Sequence, residues 1–542
     1  MRVEPAFNLL EQTWLPVLRR SGPATIRPAQ ITEALDTDPV LAIDWARADF
    51  RIATLEFLIG LLATACPPED SDAWMAGWFH PPNPAALDAA FAPITHAFNL
   101  DGEGPRFLQD FEDLVSGAEP IERLLIEAPG GSTITKNTDL LVRRGRVASL
   151  GRAAAAMMLY TFQSWAPAGG AGNRTGLRGG GPLITLVLPS PDASLWHLLW
   201  ANMPCHEKPD PQDFPRIFPW LAPTVTSEAD RTVTPQQAHT LQLWWGMPRR
   251  IRLDFAPLAA PAPCDLTGVP DSVQVVSWRQ RPRGANYAGW GDLHPLTPRY
   301  QVKPATEVLP VHPQPGGIGY RHWLGLVASS GDGLRRPAPS VAAWRDERVA
   351  DVFGAQARRT PARLLAAGYD MDNMKARGFV ETEMPLPGNG DLKTRQAMDA
   401  LAKDLVLATE QVASLLRGAV RAALFSAGAT VKLDAEVFST LRERLWDQTE
   451  ASFFASLEAA AAGVTTGRQD WMPLLRRIAL ALFDEAAPLH PHTAGSAAPR
   501  IGRARRNLLF ALTGFGKDGA ALFTLLQLPV AESKARKKEK AA

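Results

Sequence analysis

Cysteine is scarce in this chain of 542 residues: Cys66, Cys205 and Cys264 are its three copies, far apart and without a CxxC spacing. A disulfide framework and a zinc ribbon are thereby excluded, and a reducing cytoplasm fits. Long apolar runs are missing too. No stretch reaches the ~18 residues that a bilayer-spanning helix needs. The opening MRVEPAFNLLEQ carries Glu4 and Glu11 where a signal peptide requires an apolar core, so the expected location is cytoplasmic, with no membrane partner. Catalytic signatures are absent as well. GxxxxGK[ST], GxSxG, HExxH and Cys-His patterns do not occur, and GxGxxG fails because Thr175 stands where the third glycine belongs. There is no internal repeat, and the net charge is only +1.

What the chain does have is proline, 47 copies, against a usual share near ~5%. Much of it must therefore be loop, turn and short element. Hydrophobic residues at 46% and charged residues at 21% give an ordinary globular balance, with length for roughly three or four domain-sized units or fewer large ones. The charge is unevenly spread. Residues 1 to 130 hold 8 Arg, no Lys and 20 Asp or Glu, so the rest of the chain is net basic. Such asymmetry points to segregated surfaces, one of them suited to a polyanion.

Phe7–Leu18 reads as a short strand or strand pair interrupted by Pro16. Ile52–Ala65 is apolar on nearly every side, as a buried helix would be, and Ala153–Trp165 is similar, stopping at Pro167 and a glycine tract. Leu183–Leu188 has strand length and composition. From Leu241 to about Val327 short apolar segments broken by Pro, Gly and Asn predict hairpins. Met384–Asp391, MPLPGNGD, marks a boundary. Beyond it Val412, Leu416, Val420 and Leu424, then Val437, Leu441 and Leu445, then Leu475, Ile478 and Leu482 keep helical spacing, with a last helix around Arg503–Leu512. The expected fold is α+β: a large mixed α/β domain over residues 1–390, then a four-helix bundle over 391–542 ending in a basic tail.

The segment Gly169–Gly181, GGAGNRTGLRGGG, has seven glycines in thirteen residues and includes Arg174 and Arg178. Between Leu140 and Pro191 there are six arginines and no acid. Glycine lets backbone N–H groups approach a ligand closely, and arginine offers a planar fork for phosphates and acceptor edges. Contact with a nucleic-acid backbone or groove is one reading; a flexible surface loop is the other. In Trp278–Tyr287, Arg279, Arg281 and Arg283 alternate, which on a strand puts all three on one face. That face fits a groove, or is an edge strand charged against aggregation. Asp370 and Asp372 are the best carboxylate pair for a divalent ion, with Lys375 and Arg377 close by to neutralise them. His490 and His492 are the nearest histidines to one another.

Four segments taken in order, FNLLEQTWLPVL, APAGGAGNRTGLRGGGPLITLVLP, GANYAGWGDLHPLTP and AAGYDMDNMKARGFVE, resemble the CRISPR type I-E Cascade large subunit, the CasA family. The resemblance spans residues 7 to about 382. It implies a non-catalytic subunit of an RNA-guided surveillance complex, without cofactor or metal, that recognises the protospacer-adjacent motif in double-stranded DNA from the minor groove. It further implies strand separation for R-loop formation, contact with the 5′ end of the guide RNA and other Cascade subunits, and recruitment of a helicase-nuclease.

The resemblance also assigns residues. A glycine loop that reads the motif falls on Gly169, Gly170, Ala171 and Gly172, with Asn173 beside it. A basic finger falls among Arg279, Arg281 and Arg283, without distinguishing them. A wedge, glutamine in some relatives, falls on Asn373, one methylene shorter. A further DNA-contacting loop near the guide falls on Gly130–Asp139, including Ile134, Thr135, Lys136 and Asn137. There Ile134 or Thr135 replaces an aromatic of some relatives, and the zinc-like cysteine pairs of some relatives are missing. Basic faces of the bundle, Arg503, Arg505 and Arg506, are expected to meet neighbouring subunits or DNA. The rival class is a metal-dependent phosphoryl or glycosyl transferase centred on Asp370 and Asp372, and a third is a purely structural bundle protein.

Overall fold

The computed structural model describes residues 6–139, 144–170, 172–314, 316–354, 361–372, 375–388, 390–425, 435–489 and 497–530. They form two compact units, one from Met1–Gly317, Leu334–Trp344 and Ala362–Glu383, the other from Ile318–Gly333, Arg345–Pro361 and Met384–Ala542.

The first unit mixes helices and sheets. In its N-terminal sheet Leu15–Arg19 is the middle strand, antiparallel to Gly22–Ile26 and Val40–Ile43. The strand expected from Phe7 starts only at Leu15, and Trp14 before it turns inward to donate its indole N–H to Leu9 O at 2.7 Å. The helix Ala48–Ala65 is apolar on nearly every side and suits a surrounded position; every residue in it except Ala48 and Arg51 is buried. Phe57 from this helix meets Phe98, Phe107, Tyr160 and Trp245 edge-on, with centroids 5.6 to 6.1 Å apart. Each such pair contributes about 0.5–1.5 kcal/mol beyond the area it buries.

The helix Arg152–Trp165 packs against it and stops where Ala166 N–H closes on Phe162 O and Pro167 has no N–H to continue. The glycine tract follows and leads into the strand Ile184–Leu188. That strand is antiparallel to Arg363–Asp372, which lies between it and Lys375–Pro385 in a three-stranded sheet. Of the hairpins expected between Leu241 and Val327, one long one forms, Arg250–Pro263 with Pro270–Arg281. Thr240–Trp244 is instead a 3-10 turn, and beyond Arg281 the chain is largely irregular apart from short pairings such as Arg299–Tyr300 with Leu309–Pro310.

The second unit is helical: Leu392–Leu424, Ala435–Ala461, Gly467–Ala486 and Ala497–Ala511 pack together, and a fifth helix, Gly516–Leu525, follows them. Asp391 caps the first by accepting from Thr394 N–H at 2.8 Å. The residues with helical spacing mostly face inward: Val412, Leu416, Val420, Leu441, Leu445, Leu475, Ile478 and Leu482 are buried, whereas Leu424 is exposed. Tyr320 stacks on Phe453 and shares a 2.5 Å hydroxyl contact with Thr449 in the centre. Among the described residues one helical stretch, Ala497–Leu525, is long and apolar enough to cross a bilayer by length and composition alone, contrary to the expectation from the lack of long apolar runs. Its Ile501, Ala504, Leu508, Leu512 and Leu522 are buried within the bundle, whereas Phe510 and Phe515 are exposed.

Candidate nucleic-acid interface

The glycine tract is held at its base by a side chain that the sequence did not single out. Arg249, just ahead of the long hairpin, donates through Nε to Arg174 O at 2.6 Å and through Nη2 to Pro167 O, and its guanidinium lies over the Phe162 ring at 5.3 Å. Burial pulls its guanidinium down to about 10, still charged at neutral pH. Above this staple the main chain turns: Asn173 N–H reaches Gly170 O at 2.7 Å and Gly169 N–H reaches Asn173 O at 3.1 Å. Gly169 and Gly170 are exposed. Ala171 lies outside the described residues.

At the apex the tract meets the basic segment directly. Arg283 N–H donates to Gly172 O at 2.9 Å, and Gly172, at φ +79°, is closely approached: a Cβ there would stand 3.0 Å from Arg283 Cγ and 3.2 Å from Arg283 N, so Arg283 would have to shift by a few tenths of an ångström. At its far end the tract meets the three-stranded sheet, because a Cβ on Gly181 would lie 2.6 Å from Tyr369 O and 2.9 Å from Met371 Cγ. Tyr369 is fixed by donating to Asp49 at 2.7 Å and by ring contacts with Trp165 and Phe379. Two of the segments predicted to act together are thus both in contact with one loop. Asn373, with residue 374, separates the strands Arg363–Asp372 and Lys375–Pro385 in sequence and lies outside the described residues.

The expectation that Arg279, Arg281 and Arg283 share one strand face needs correction. The strand ends at Arg281, since Pro282 cannot donate to a ladder, and Arg283 sits beyond it at φ +64°. Their surroundings also differ. Arg279 is held by Asp254 at 3.0 Å and Ser116 O at 2.7 Å, and Arg281 lies 3.7 Å from Glu112. Arg283 is exposed, and among the described residues no carboxylate pairs with it, nor with Arg174 or Arg249. Of these three around the glycine turn, Arg249 is buried and satisfied by carbonyl oxygens, while Arg283 is the exposed one.

Arg178 is corrected as well. It is no surface contact: at 4% exposure it pairs with the buried Glu56 at 2.5 Å and donates to Thr297 at 3.2 Å, pinning the tract to the helix Ala48–Ala65. Glu56 also accepts from Trp165 Nε1 at 3.3 Å and faces His294 Nε2 at 3.1 Å. Burial opposes the charge on Glu56, yet Arg178 and His294 hold its carboxyl below the usual carboxylate range.

The second predicted loop is a separate structure. Gly131–Thr135 forms a single helical turn, Asn137 takes a left-handed conformation at φ +49°, and Arg144 ties the loop together by donating to Ile134 O and Asn137 Oδ1 at 3.2 Å and pairing with Asp139 at 2.5 Å. That leaves Thr135 and Lys136 exposed and Ile134 half-buried. Among the described residues no hydrogen bond or ion pair links this loop to the glycine tract.

The carboxylate pair does not assemble a metal centre. Arg377 grips Asp370 with both arms, at 2.7 and 3.1 Å, while Asp372 is exposed, and among the described residues no group of three metal-ligating side chains occurs. His490, His492 and the basic tail lie outside the described residues. In the bundle Arg505 pairs with Asp484 at 2.6 Å, whereas Arg503 and Arg506 are exposed.

Comparison with known proteins agrees with the resemblance. The family profile of CRISPR-associated protein Cse1 matches residues 8–482. Cse1 of Thermobifida fusca superposes with a TM-score of 0.67 at 19% identity, covering 96% of this chain and 98% of that one. CasA of Thermus thermophilus gives 0.67 at 16% identity, covering 93% and 99%. A chain of a CRISPR RNA-guided surveillance complex gives 0.62 at 16% identity, covering 94% and 99%.

Proposed function

Given that this chain belongs to the CRISPR-associated Cse1 family, the large subunits of type I-E Cascade, we propose that it reads the protospacer-adjacent motif in target DNA and starts strand separation. The observation that carries the reading is the bond between Gly172 and Arg283, which joins a bare stretch of main chain to an unpaired guanidinium on an exposed edge. Main chain without Cβ atoms suits close approach to the floor of a minor groove, and a guanidinium is attracted to the negative potential of a narrow one. Because the minor groove shows a degenerate donor and acceptor pattern, such a reader accepts several related motifs.

Arg174 and Arg249 add charge beside the turn, and Arg281 borders it. Asn373 acts as the wedge: inserted at the first base pair past the motif, it offsets part of an unstacking cost of a few kcal/mol. Once the strands part, pairing with the guide RNA roughly balances the lost duplex, so small contacts decide whether opening proceeds. The loop carrying Ile134, Thr135, Lys136 and Asn137 supplies further DNA contact near the guide 5′ end. The bundle, through Arg503 and Arg506, meets neighbouring Cascade subunits or DNA, and the assembly recruits a separate helicase-nuclease. The subunit itself is non-catalytic and works in the cytoplasm.

The test is a strand-opening measurement on the complete assembly. Asn373→Ala is expected to slow opening in stopped flow more than it weakens initial binding, while Gly172→Asp abolishes motif-dependent binding through a clash and a misplaced charge. Equal opening rates for wild type and Asn373→Ala would refute the wedge, and motif-dependent binding by Gly172→Asp would refute the reading loop.

A further inference from the structure

The long hairpin carries an arginine ladder that the acidic N-terminal region covers. Its register sets Arg250 opposite Arg281 and Arg252 opposite Arg279, and like charges directly across a strand pair repel. The segment Gln109–Asp113 lies along the free edge of Arg250–Pro263: Asp110 N–H donates to Ile251 O at 2.8 Å and Leu253 N–H donates to Gln109 Oε1 at 3.0 Å. From there Asp110 takes Arg250 at 2.6 Å, Asp113 takes Arg252 at 2.5 Å, and a single oxygen of Glu112 stands 3.1 Å from Arg250 and 3.7 Å from Arg281.

These pairs differ in permanence. Asp110 is fully buried, so its pair with Arg250 is structural. The side chains of Glu112 and Arg281 are 57% and 48% exposed, and a pair so solvated contributes little to stability and is screened by salt.

We propose that Glu112 tempers sequence-independent DNA binding: it competes with the DNA backbone for Arg281 and so holds down affinity for duplexes that lack the motif. This rests on the reading that the edge bearing Arg281 and Arg283 faces DNA. Phosphate contacts carry no sequence information. Damping one of them lowers affinity for every duplex by the same factor, so that duplexes without the groove contacts of Gly172 and Arg283 are the first to fall below a useful affinity.

The experiment uses the complete guide-loaded assembly and a duplex with neither motif nor guide complement, titrated at several salt concentrations. Glu112→Gln, at an exposed position, is expected to raise affinity for that duplex by roughly three- to tenfold at low salt and to steepen the salt dependence by about one unit, as for one added phosphate contact. Adding Arg281→Ala should cancel both changes. An absent gain, or a gain equally large without Arg281, overturns the proposal. A wild-type assembly indifferent to the motif would instead count against the reading of the motif, while the Arg281-dependent gain is scored separately on the motif-free duplex.

Discussion

Gly172 and Arg283 are joined through main chain, Arg283 N–H to Gly172 O at 2.9 Å, although they stand 111 positions apart in sequence. Both take left-handed backbone conformations, φ +79° and φ +64°, which for an L residue other than glycine costs about 1–2 kcal/mol. Arg283 bears that cost at an exposed position. The effect is to bring the Arg283 main chain alongside the glycine turn.

Comparing alanine at two neighbouring glycines separates conformation from contact. Gly170 and Gly172 both have positive φ, but a Cβ at Gly170 meets open space whereas one at Gly172 runs into Arg283. Gly170→Ala should lower stability by about 1 kcal/mol and leave motif-duplex affinity within about threefold. Gly172→Ala should lose about tenfold, or about 1.4 kcal/mol, in anisotropy titrations of the assembly. Equal losses at the two positions would remove Arg283 from the account.

Among the three arginines of the basic segment, charge compensation predicts unequal roles. Arg283→Ala should weaken DNA binding several-fold and flatten its salt dependence by about 0.9 if one phosphate contact is lost. Arg279→Ala should leave that slope unchanged, because Asp254 and Ser116 O already occupy the guanidinium. Titrations at three ionic strengths decide between them, and a slope change confined to Arg279→Ala would reverse the assignment.

The elements legible from sequence were those whose signal is local. The run Ile52–Ala65, apolar on nearly every side, predicted a buried helix, found as Ala48–Ala65; i to i+4 spacing predicted the C-terminal helices, and the glycine tract announced itself by composition. What could not be read was pairing at a distance. No acid occurs near Arg178, so its burial against Glu56, 122 residues earlier, had no trace in the neighbourhood. The same holds for Glu112 beside Arg281, although the excess of acids in residues 1 to 130 hinted at a need for distant bases. Pro282 was a missed local signal: lacking an N–H, it ends the strand and frees Arg283 to turn toward Gly172.

The anchor under the tract is open to a direct test. Glu56→Gln leaves the Arg178 guanidinium buried without its countercharge, and breaking a buried pair from one side costs about 3–5 kcal/mol. Urea unfolding followed by tryptophan fluorescence should show that loss. Glu56→Leu with Arg178→Met should recover much of it, since no charge is then left stranded. A double variant as weak as the single one would mean the pair contributes more than mutual neutralisation.

Acid stability should bear the signature of His294. Burial, with Arg178 adding repulsion, pushes its imidazole down to about 4, although Glu56 pulls the other way; Trp244 meets the ring edge-on with centroids 4.8 Å apart. Nδ1 accepts from Leu296 N–H at 3.3 Å, which leaves the neutral ring's proton on Nε2, toward Glu56. Unfolded, the ring titrates near ~6.5. Between those values the unfolded chain binds the proton and the folded chain does not, so stability is complete above about pH 6.5 and declines as pH falls toward 4, by about 3 kcal/mol in all. Urea midpoints measured from pH 7 to pH 4.5 should fall along that course in the wild type. In His294→Gln, which cannot titrate but keeps an N–H for Glu56, the decline should be shallower. Parallel pH profiles for the two proteins would mean that folding does not lower the proton affinity of the ring.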